Sequence, residues 1–321
     1  MKSFTIGKND AGLRLDKFVV KTAPLLPTTL LYKYIRLKRI KVNGKRAEIN
    51  TRLQLGSVVE MYINDEFFEP KSPKYDFMSA SKVLDIVYED ENILLADKKQ
   101  GLLVHPDENE YNDTLIARIQ RYLYEKGEYD PEVENSFKPA LANRIDRNTG
   151  GIVIAAKNAE ALRILCDKIK QREIDKFYLA AVHGVPSKKS ATLEAFLEKN
   201  ESKNKVYLSN TKTDSNLSIR TRYEVLKQKG DISLLKIELL TGRTHQIRAH
   251  MASIGHPLLG DGKYGKLNAD KKLGFDKQAL YSYKLTFKFT EDAGILNYLN
   301  GRTFNVNSVW FAEQLFGYKA D

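Results

Sequence analysis

Apolar residues near the start of the chain, Leu13, Leu15, Phe18 and Val19, recur at close to helical spacing through Thr22, and Pro24 and Pro27 end the run. Thr28 or Thr29 can cap a second helix over TLLYKYIRLKRI. Its Leu30, Leu31, Tyr34 and Ile35 can turn inward, with Lys33, Arg36, Lys38 and Arg39 largely on other faces. From Ile40 to Ala47 two short extended runs flank Asn43-Gly44, the pair that favours a type I′ hairpin. Residues 55–63 then read as a further strand. This pattern predicts two helices and a small sheet over residues 1–63. Residues 64–82 lose the periodicity to prolines, serines and mixed charge, and read as a linker or strap.

From Val83 onward strands and helices alternate. Apolar strand patterns fall at 84–90, 92–98, 151–157, 176–184, 219–228, 232–240 and 280–289, with helices at Thr114–Lys126 and around Ala159–Lys170. The expected fold class is α+β: a small helix-and-sheet module, then a larger domain over 83–321 with a mixed, largely antiparallel sheet flanked by helices. No GxGxxG follows a predicted strand and no GxxxxGK[ST] occurs, so neither phosphate-loop motif is available.

Composition narrows the class. A chain of 321 residues with 42% hydrophobic and 29% charged residues has the makeup of two globular domains rather than of a disordered segment. One cysteine, Cys166, excludes an internal disulfide framework and a zinc ribbon. The start carries no apolar run of signal-peptide length, and no stretch reaches the roughly 20 apolar residues that span a bilayer. A cytoplasmic protein with no membrane association is expected. The net charge of +11 is uneven: residues 1–63 hold 13 Lys and Arg against 4 Asp and Glu, the rest 39 against 37. A small basic module ahead of a nearly neutral body points to a polyanionic partner.

Two clusters carry candidate chemistry. In NRIDRNTGG, residues 143–151, Asp146 stands between Arg144 and Arg147, and the cations favour its ionised form. Gly150 and Gly151 permit unusual backbone angles or close approach of another chain. By residue type alone, Asp146 is either a reactive carboxylate or a turn residue in a structural ion pair. The second cluster gathers Arg243, His245, Arg248 and His250 within eight residues, followed by Gly260-Asp261-Gly262. It suits a basic pocket for phosphate and ribose. A metal is not expected, because His245 and His250 are five apart, without the i,i+4 pairing or the glutamate of a zinc-protease helix.

With these strings in view, the first 63 residues, through RLDKF, YIRLKRIKVNGKRA and LGSVVEMYI, resemble the S4 domain, an RNA-binding module. The resemblance implies that Lys38, Arg39, Lys41, Lys45 and Arg46 contact RNA backbone, and closely spaced cations do neutralise phosphates with little sequence discrimination. Residues 83 to about 290 resemble the RluA-type pseudouridine synthases. NRIDRNTGGIVIAAK is similar to that family's H-R-L-D-x-x-T-S-G motif with its apolar strand. LLADKKQGLLVHP, KFYLAAVHG and LLTGRTHQIRAHMASIGHPLLGDGKYG are similar to three more motifs in the same order.

The resemblance implies isomerisation of uridine to pseudouridine in structured RNA, with no cofactor. Large-subunit ribosomal RNA is the expected substrate, transfer RNA the second, and a monomer the expected state. It makes Asp146 the catalytic aspartate and Tyr178 the residue stacked on the target base. Arg248 becomes the basic partner of the aspartate, with Arg243 the other candidate. Arg144 fills the gap left by the extruded nucleotide, Leu280 packs near the base, and His245 belongs to the substrate-binding set. Asn143, Gly150 and Lys99 depart from the usual His, Ser and Pro. A non-catalytic RNA-binding or assembly protein on the same fold is the rival these departures leave open, with an N-glycosidase that releases the base as a third reading. The last stretch, through Trp310 and Phe311, is expected to pack on the catalytic domain.

Overall fold

Asn43 and Gly44 both adopt positive φ, 50° and 70°, in the computed structural model, as the expected type I′ hairpin requires. The structure describes residues 1–69, 74–108, 110–200, 205–265 and 267–320. The chain divides into two compact units.

The first unit holds Met1–Val83 with Pro106–Ala140 and Ala156–Leu162, and so takes in more than residues 1–63. Strands β1 (Lys2–Thr5), β2 (Ile40–Val42), β3 (Lys45–Arg46) and β4 (Val58–Met61) form an antiparallel sheet in the order β1-β4-β2-β3. Helices α1 (Leu15–Thr22) and α2 (Thr28–Arg36) bury their apolar faces in one core with it, built on Leu15, Phe18, Val19, Leu31, Ile35, Ile40 and Met61. The pattern read correctly here, with two corrections.

Pro27, not a threonine, occupies the N-cap of α2, because its fixed φ suits the entry and Thr28 is already helical. The helix also stops at Arg36 rather than running to Ile40. Lys38 takes a left-handed conformation (φ 60°), with Lys38 N–H donating to Ile35 O and Arg39 N–H to Tyr34 O. That is a Schellman closure. Lys38 and Arg39 therefore sit on the turn after the helix and not on it.

Within the expected linker, single 3₁₀ turns occur at Asp65–Phe68 and Asp76–Ser79, and Phe77 is buried; its middle, residues 70–73, lies outside the described residues. Helix α3 (Leu115–Glu125) starts where expected, with Thr114 Oγ1 accepting the Ala117 N–H.

The second unit holds Leu84–His105, Leu141–Ala155 and Arg163–Asp321. Its sheet draws on β5 (Ile86–Glu89), β6 (Ile93–Lys98), β7 (Ala140–Leu141), β8 (Gly150–Ala156) and β9 (Ile174–His183). It continues through β10 (Ser190–Asn200), β11 (Lys205–Ser209), β12 (Leu217–Lys229), β13 (Ile232–Leu239), β14 (Leu280–Phe287) and β15 (Thr303–Asn305). Among the described residues the order is β11-β10-β12-β13-β9-β14-β8-β6-β5, with β7 beside β8 and β15 beside β14. β14 and β8 run parallel, while β14 pairs antiparallel with β9 and β9 with β13. This is the mixed, largely antiparallel sheet that the pattern predicts.

Every residue of β8 is buried, consistent with its unbroken apolar run. Helix α4 (Ala159–Lys170) from Arg163 onward, with α5 (Gln246–Ser253), α6 (Leu267–Lys271) and α7 (Trp310–Phe316), completes the unit. On α7, Phe311 is fully buried, and the Trp310 ring lies 5.2 Å from that of Phe275, its indole N–H donating to Gln100 Oε1 at 3.1 Å. The closing stretch thus packs on the larger body, as expected. No helix among the described residues is long and apolar enough to cross a membrane.

Candidate active site

The loop that carries Asp146 is held from below by a lysine. Lys98, at the end of β6 and fully buried, donates from Nζ to the carbonyl oxygens of Lys99, Leu102 and Arg147 at 3.0, 2.7 and 2.8 Å. Burial pulls its pKa down to about 7, against the pull of the Asp146 charge. Gly101 N–H donates to Arg147 O, and Arg147 Nε returns a bond to Gly101 O. Asn143 Oδ1 accepts the Ile154 N–H at 2.8 Å, tying the loop to β8.

The three departures from the family pattern are each accommodated. Asn143 serves as that tie. Lys99 is exposed and pairs with Asp85 at 2.9 Å. Gly150 leaves no room for a serine, since a Cβ there would lie 2.3 Å from Tyr281 Cε2. Tyr281 fills that space and donates from its hydroxyl to Asp97 at 2.7 Å. At Gly151 (φ 111°) a Cβ would meet Ser282 O at 2.2 Å. The close approach expected at the double glycine is therefore that of β14.

Asp146 emerges from this loop about a quarter exposed. From α5, Arg248 donates from Nη1 to Asp146 Oδ2 at 3.0 Å. The rest of the guanidinium is gripped by Asp261, with Nε to Oδ2 at 2.7 Å and Nη2 to Oδ1 at 2.8 Å. Asp261 is fully buried and also accepts the N–H groups of Lys263 and Tyr264. Arg248 is thus oriented by one carboxylate and offers a single N–H to the other.

His245 precedes α5 in a left-handed conformation (φ 54°). Its Nε2 lies 3.8 Å from Asp146 Oδ2 and its Nδ1 3.2 Å from the Tyr264 hydroxyl. Burial, with Arg248 and Lys263 nearby, lowers its pKa to about 4, so the ring is neutral at pH 7. Gln246 locks the approach to the helix. Its Oε1 accepts from Thr241 Oγ1 and Arg243 N–H, and its Nε2 donates to Arg220 O and Thr221 Oγ1.

These groups open on a cavity of about 670 Å³. Tyr178 lines it from β9 and Leu280 from β14, both nearly buried. Burial, with Asp146's charge adding, pushes the Tyr178 hydroxyl up to about 12, so it stays protonated. Arg144 and Arg243 line it as exposed cations without a carboxylate partner among the described residues. All seven residues named from the sequence for chemistry and substrate, Arg144, Asp146, Tyr178, Arg243, His245, Arg248 and Leu280, meet on this cavity.

The expected RNA-contact residues belong to the first unit. Lys41 lies on β2, 5.2 Å from the Tyr62 ring; Lys45 and Arg46 form β3; Arg39 lies over Tyr34 at 5.3 Å. Sequence reasoning missed the roles of Lys98, Asp261 and Gln246. The GDGKYG string was the only signal for Asp261, and nothing local marked Lys98. No group of three or more His, Cys, Asp or Glu residues placed to hold a metal occurs among the described residues.

Residues 92–253 match the RNA pseudouridylate synthase family. The chain is 34% identical, over 98% of its length and 100% of the relative's, to an uncharacterised RNA pseudouridine synthase of Mycoplasma capricolum. It is 29% identical, over 88% of its length and 84% of the relative's, to ribosomal large subunit pseudouridine synthase D of Borreliella burgdorferi. The solved structure of human RNA pseudouridylate synthase domain containing 1 matches 79% of this chain and 100% of its own, with a TM-score of 0.53 at 20% identity, a likeness of fold. The chain belongs to the RNA pseudouridylate synthase family, and its reaction is the isomerisation of uridine to pseudouridine in RNA.

Proposed function

We propose that the chain modifies specific uridines of large-subunit ribosomal RNA, with Asp146 working at the ribose and the target base turned out of its stack into the cavity. The observation that carries this reading is the Asp146 carboxylate on the cavity wall, oriented by Arg248 and sharing the cavity with the Tyr178 ring. The relative named for the large ribosomal subunit supports the choice of RNA.

The reaction breaks N1–C1′, turns the base, joins C5 to C1′ and releases the C5 proton, with no change of oxidation state. An ionised carboxylate serves it either by attack on C1′ or by taking the C2′ proton. Extruding the base costs a few kcal/mol. Stacking on Tyr178 returns about 1–3 kcal/mol, and Arg144, exposed and without a counterion, suits the vacated position in the stack. Leu280 supplies an apolar wall, and Arg243 with neutral His245 supplies hydrogen-bond donors.

Residues 1–63 act in this reading as an S4-like RNA-holding module and 64–82 as the linker to the catalytic body, 83–321. Lys38, Arg39, Lys41, Lys45 and Arg46 neutralise phosphates through the helix-end turn and the hairpin. The working unit is a monomer in the cytoplasm, where its ribosomal substrate is made.

Tritium release from 5-tritiated, unmodified ribosomal RNA tests the chemistry. Wild type is expected to release label without free uracil, and Asp146→Asn to release none while still binding RNA. Turnover by the Asn variant, or free uracil from wild type, refutes the assignment. Changing Lys38, Arg39 and Lys41 together to Glu should weaken RNA binding and flatten its salt dependence; unchanged binding sinks the S4 reading.

A further inference from the structure

Four non-glycine residues among those described have positive φ: Lys38, Asn43, Arg172 and His245. Asn43 is in the hairpin turn, where asparagine is favoured. Arg172 closes α4 at φ 65°, its N–H donating to Ile169 O and the Glu173 N–H to Lys168 O. This is a Schellman closure, and its left-handed position is one that glycine fills at least strain. An arginine there gives up stability, and such strain persists where the side chain has other work.

Arg172 lines the cavity that holds Asp146 and Tyr178, together with Lys170 and Lys176. None of the three has a carboxylate partner among the described residues. The nearby acids are engaged elsewhere: Glu173 with Lys168 at 2.7 Å, Asp175 with Lys288 at 2.5 Å, and Glu238 with Arg222 at 3.0 Å. Lys176 lies on β9 two residues before Tyr178, on the same face and about 7 Å away along the strand. Burial lowers the pKa of its ammonium against the pull of the neighbouring Asp175, whose carboxylate is itself paired with Lys288. One wall of the cavity therefore carries three cations with no ion pair among the described residues, and Asp175 on the same wall is held by Lys288.

Resting on the proposed function, we infer that Lys170, Arg172 and Lys176 hold the phosphodiester backbone of the RNA strand beside the extruded uridine, and that Arg172 keeps its strained cap for that contact. A phosphate fits this wall because it supplies counter-charge and accepts the guanidinium fork. The backbone passes along this wall while the base lies on Tyr178.

The test is Arg172→Gly, the residue that its backbone favours. Binding to a single-stranded fragment of unmodified ribosomal RNA is measured across a salt series in the Asp146→Asn background, and turnover with Asp146 intact. Arg172→Gly is expected to raise Tm and yet weaken binding. The slope of log affinity against log salt should shrink by about 0.7, one phosphate on a single strand. The loss in kcat/KM should be carried by KM. Arg172→Lys, which keeps a cation, is expected to restore the slope. An unchanged slope, or weaker binding that follows a lowered Tm, overturns the inference. Absence of turnover in the wild type strikes the proposed function instead and leaves the slope comparison to decide this contact.

Discussion

Asp261→Asn isolates what the Asp146–Arg248–Asp261 chain of charges does. Burial alone would raise the Asp261 pKa. The Arg248 guanidinium and the N–H groups of Lys263 and Tyr264 outweigh burial and hold it below the usual carboxylate range. Asparagine keeps the shape but removes the charge, and it turns one acceptor into an amide facing either Arg248 or a backbone N–H. Stripping one partner from a buried ion pair costs about 3–5 kcal/mol. The lower end applies here, because Asp146 still faces Arg248 at 3.0 Å.

For a body of this size, about 3 kcal/mol lowers Tm by about 6–12 °C. A guanidinium freed from its two bonds to Asp261 no longer fixes the Asp146 oxygens, and a displacement of this kind costs about 100-fold in kcat. Tritium release gives kcat and KM, and thermal melting by circular dichroism gives Tm. Arg248→Met with Asp261→Asn removes both charges and is expected to recover stability relative to Arg248→Met alone. Its kcat should be close to that of Arg248→Met, since Asp261 reaches Asp146 through the arginine. Refutation would be an Asp261→Asn enzyme with Tm within about 2 °C and kcat within about three-fold of wild type, both well short of these magnitudes.

Lys38→Gly relieves the left-handed lysine that closes α2, and it should raise stability by up to about 1 kcal/mol while weakening RNA binding; denaturant melts and a salt-titrated binding curve read the two opposite signs. Gly150→Ser drives a side chain into the Tyr281 ring and should destabilise by about 1–3 kcal/mol, with Tyr281→Val in the same chain restoring much of the loss in chemical denaturation. His250 is buried, and burial lowers its pKa to about 4. The unfolded chain takes up its proton below about pH 6.5 while the fold resists until about 4, so this contribution is full above pH 6.5 and lost as pH falls toward 4. At pH 5 the loss is roughly 2 kcal/mol, and His250→Asn, whose amide can replace the ring nitrogen facing Thr221, should flatten the fall in stability between pH 7 and 5.

The residues that the sequence revealed and those that it concealed differ in the range of the interaction behind them. Asp146 and Arg248 are 102 positions apart, yet both were legible, because each sits in a contiguous string whose residue types are unusual together. Lys98 was not, since its three carbonyl partners are backbone groups and leave no mark on residue type. β10 was missed because SATLEAFLEKN is rich in helix formers, and pairing with β12 along eight residues overrides that preference. The helix-end cations were hidden for the opposite reason. A reader of propensities expects glycine at a left-handed helix terminus, so Lys38 looks like an interior residue of a longer helix, and Arg172 passes for an ordinary residue after the helix read as ending near Lys170. The structure shows that the helices end there regardless, and Arg172, like the left-handed His245, lines the Asp146 cavity. At two of the left-handed non-glycine positions, Arg172 and His245, local preference is thus broken by a charged or polar group on the cavity wall.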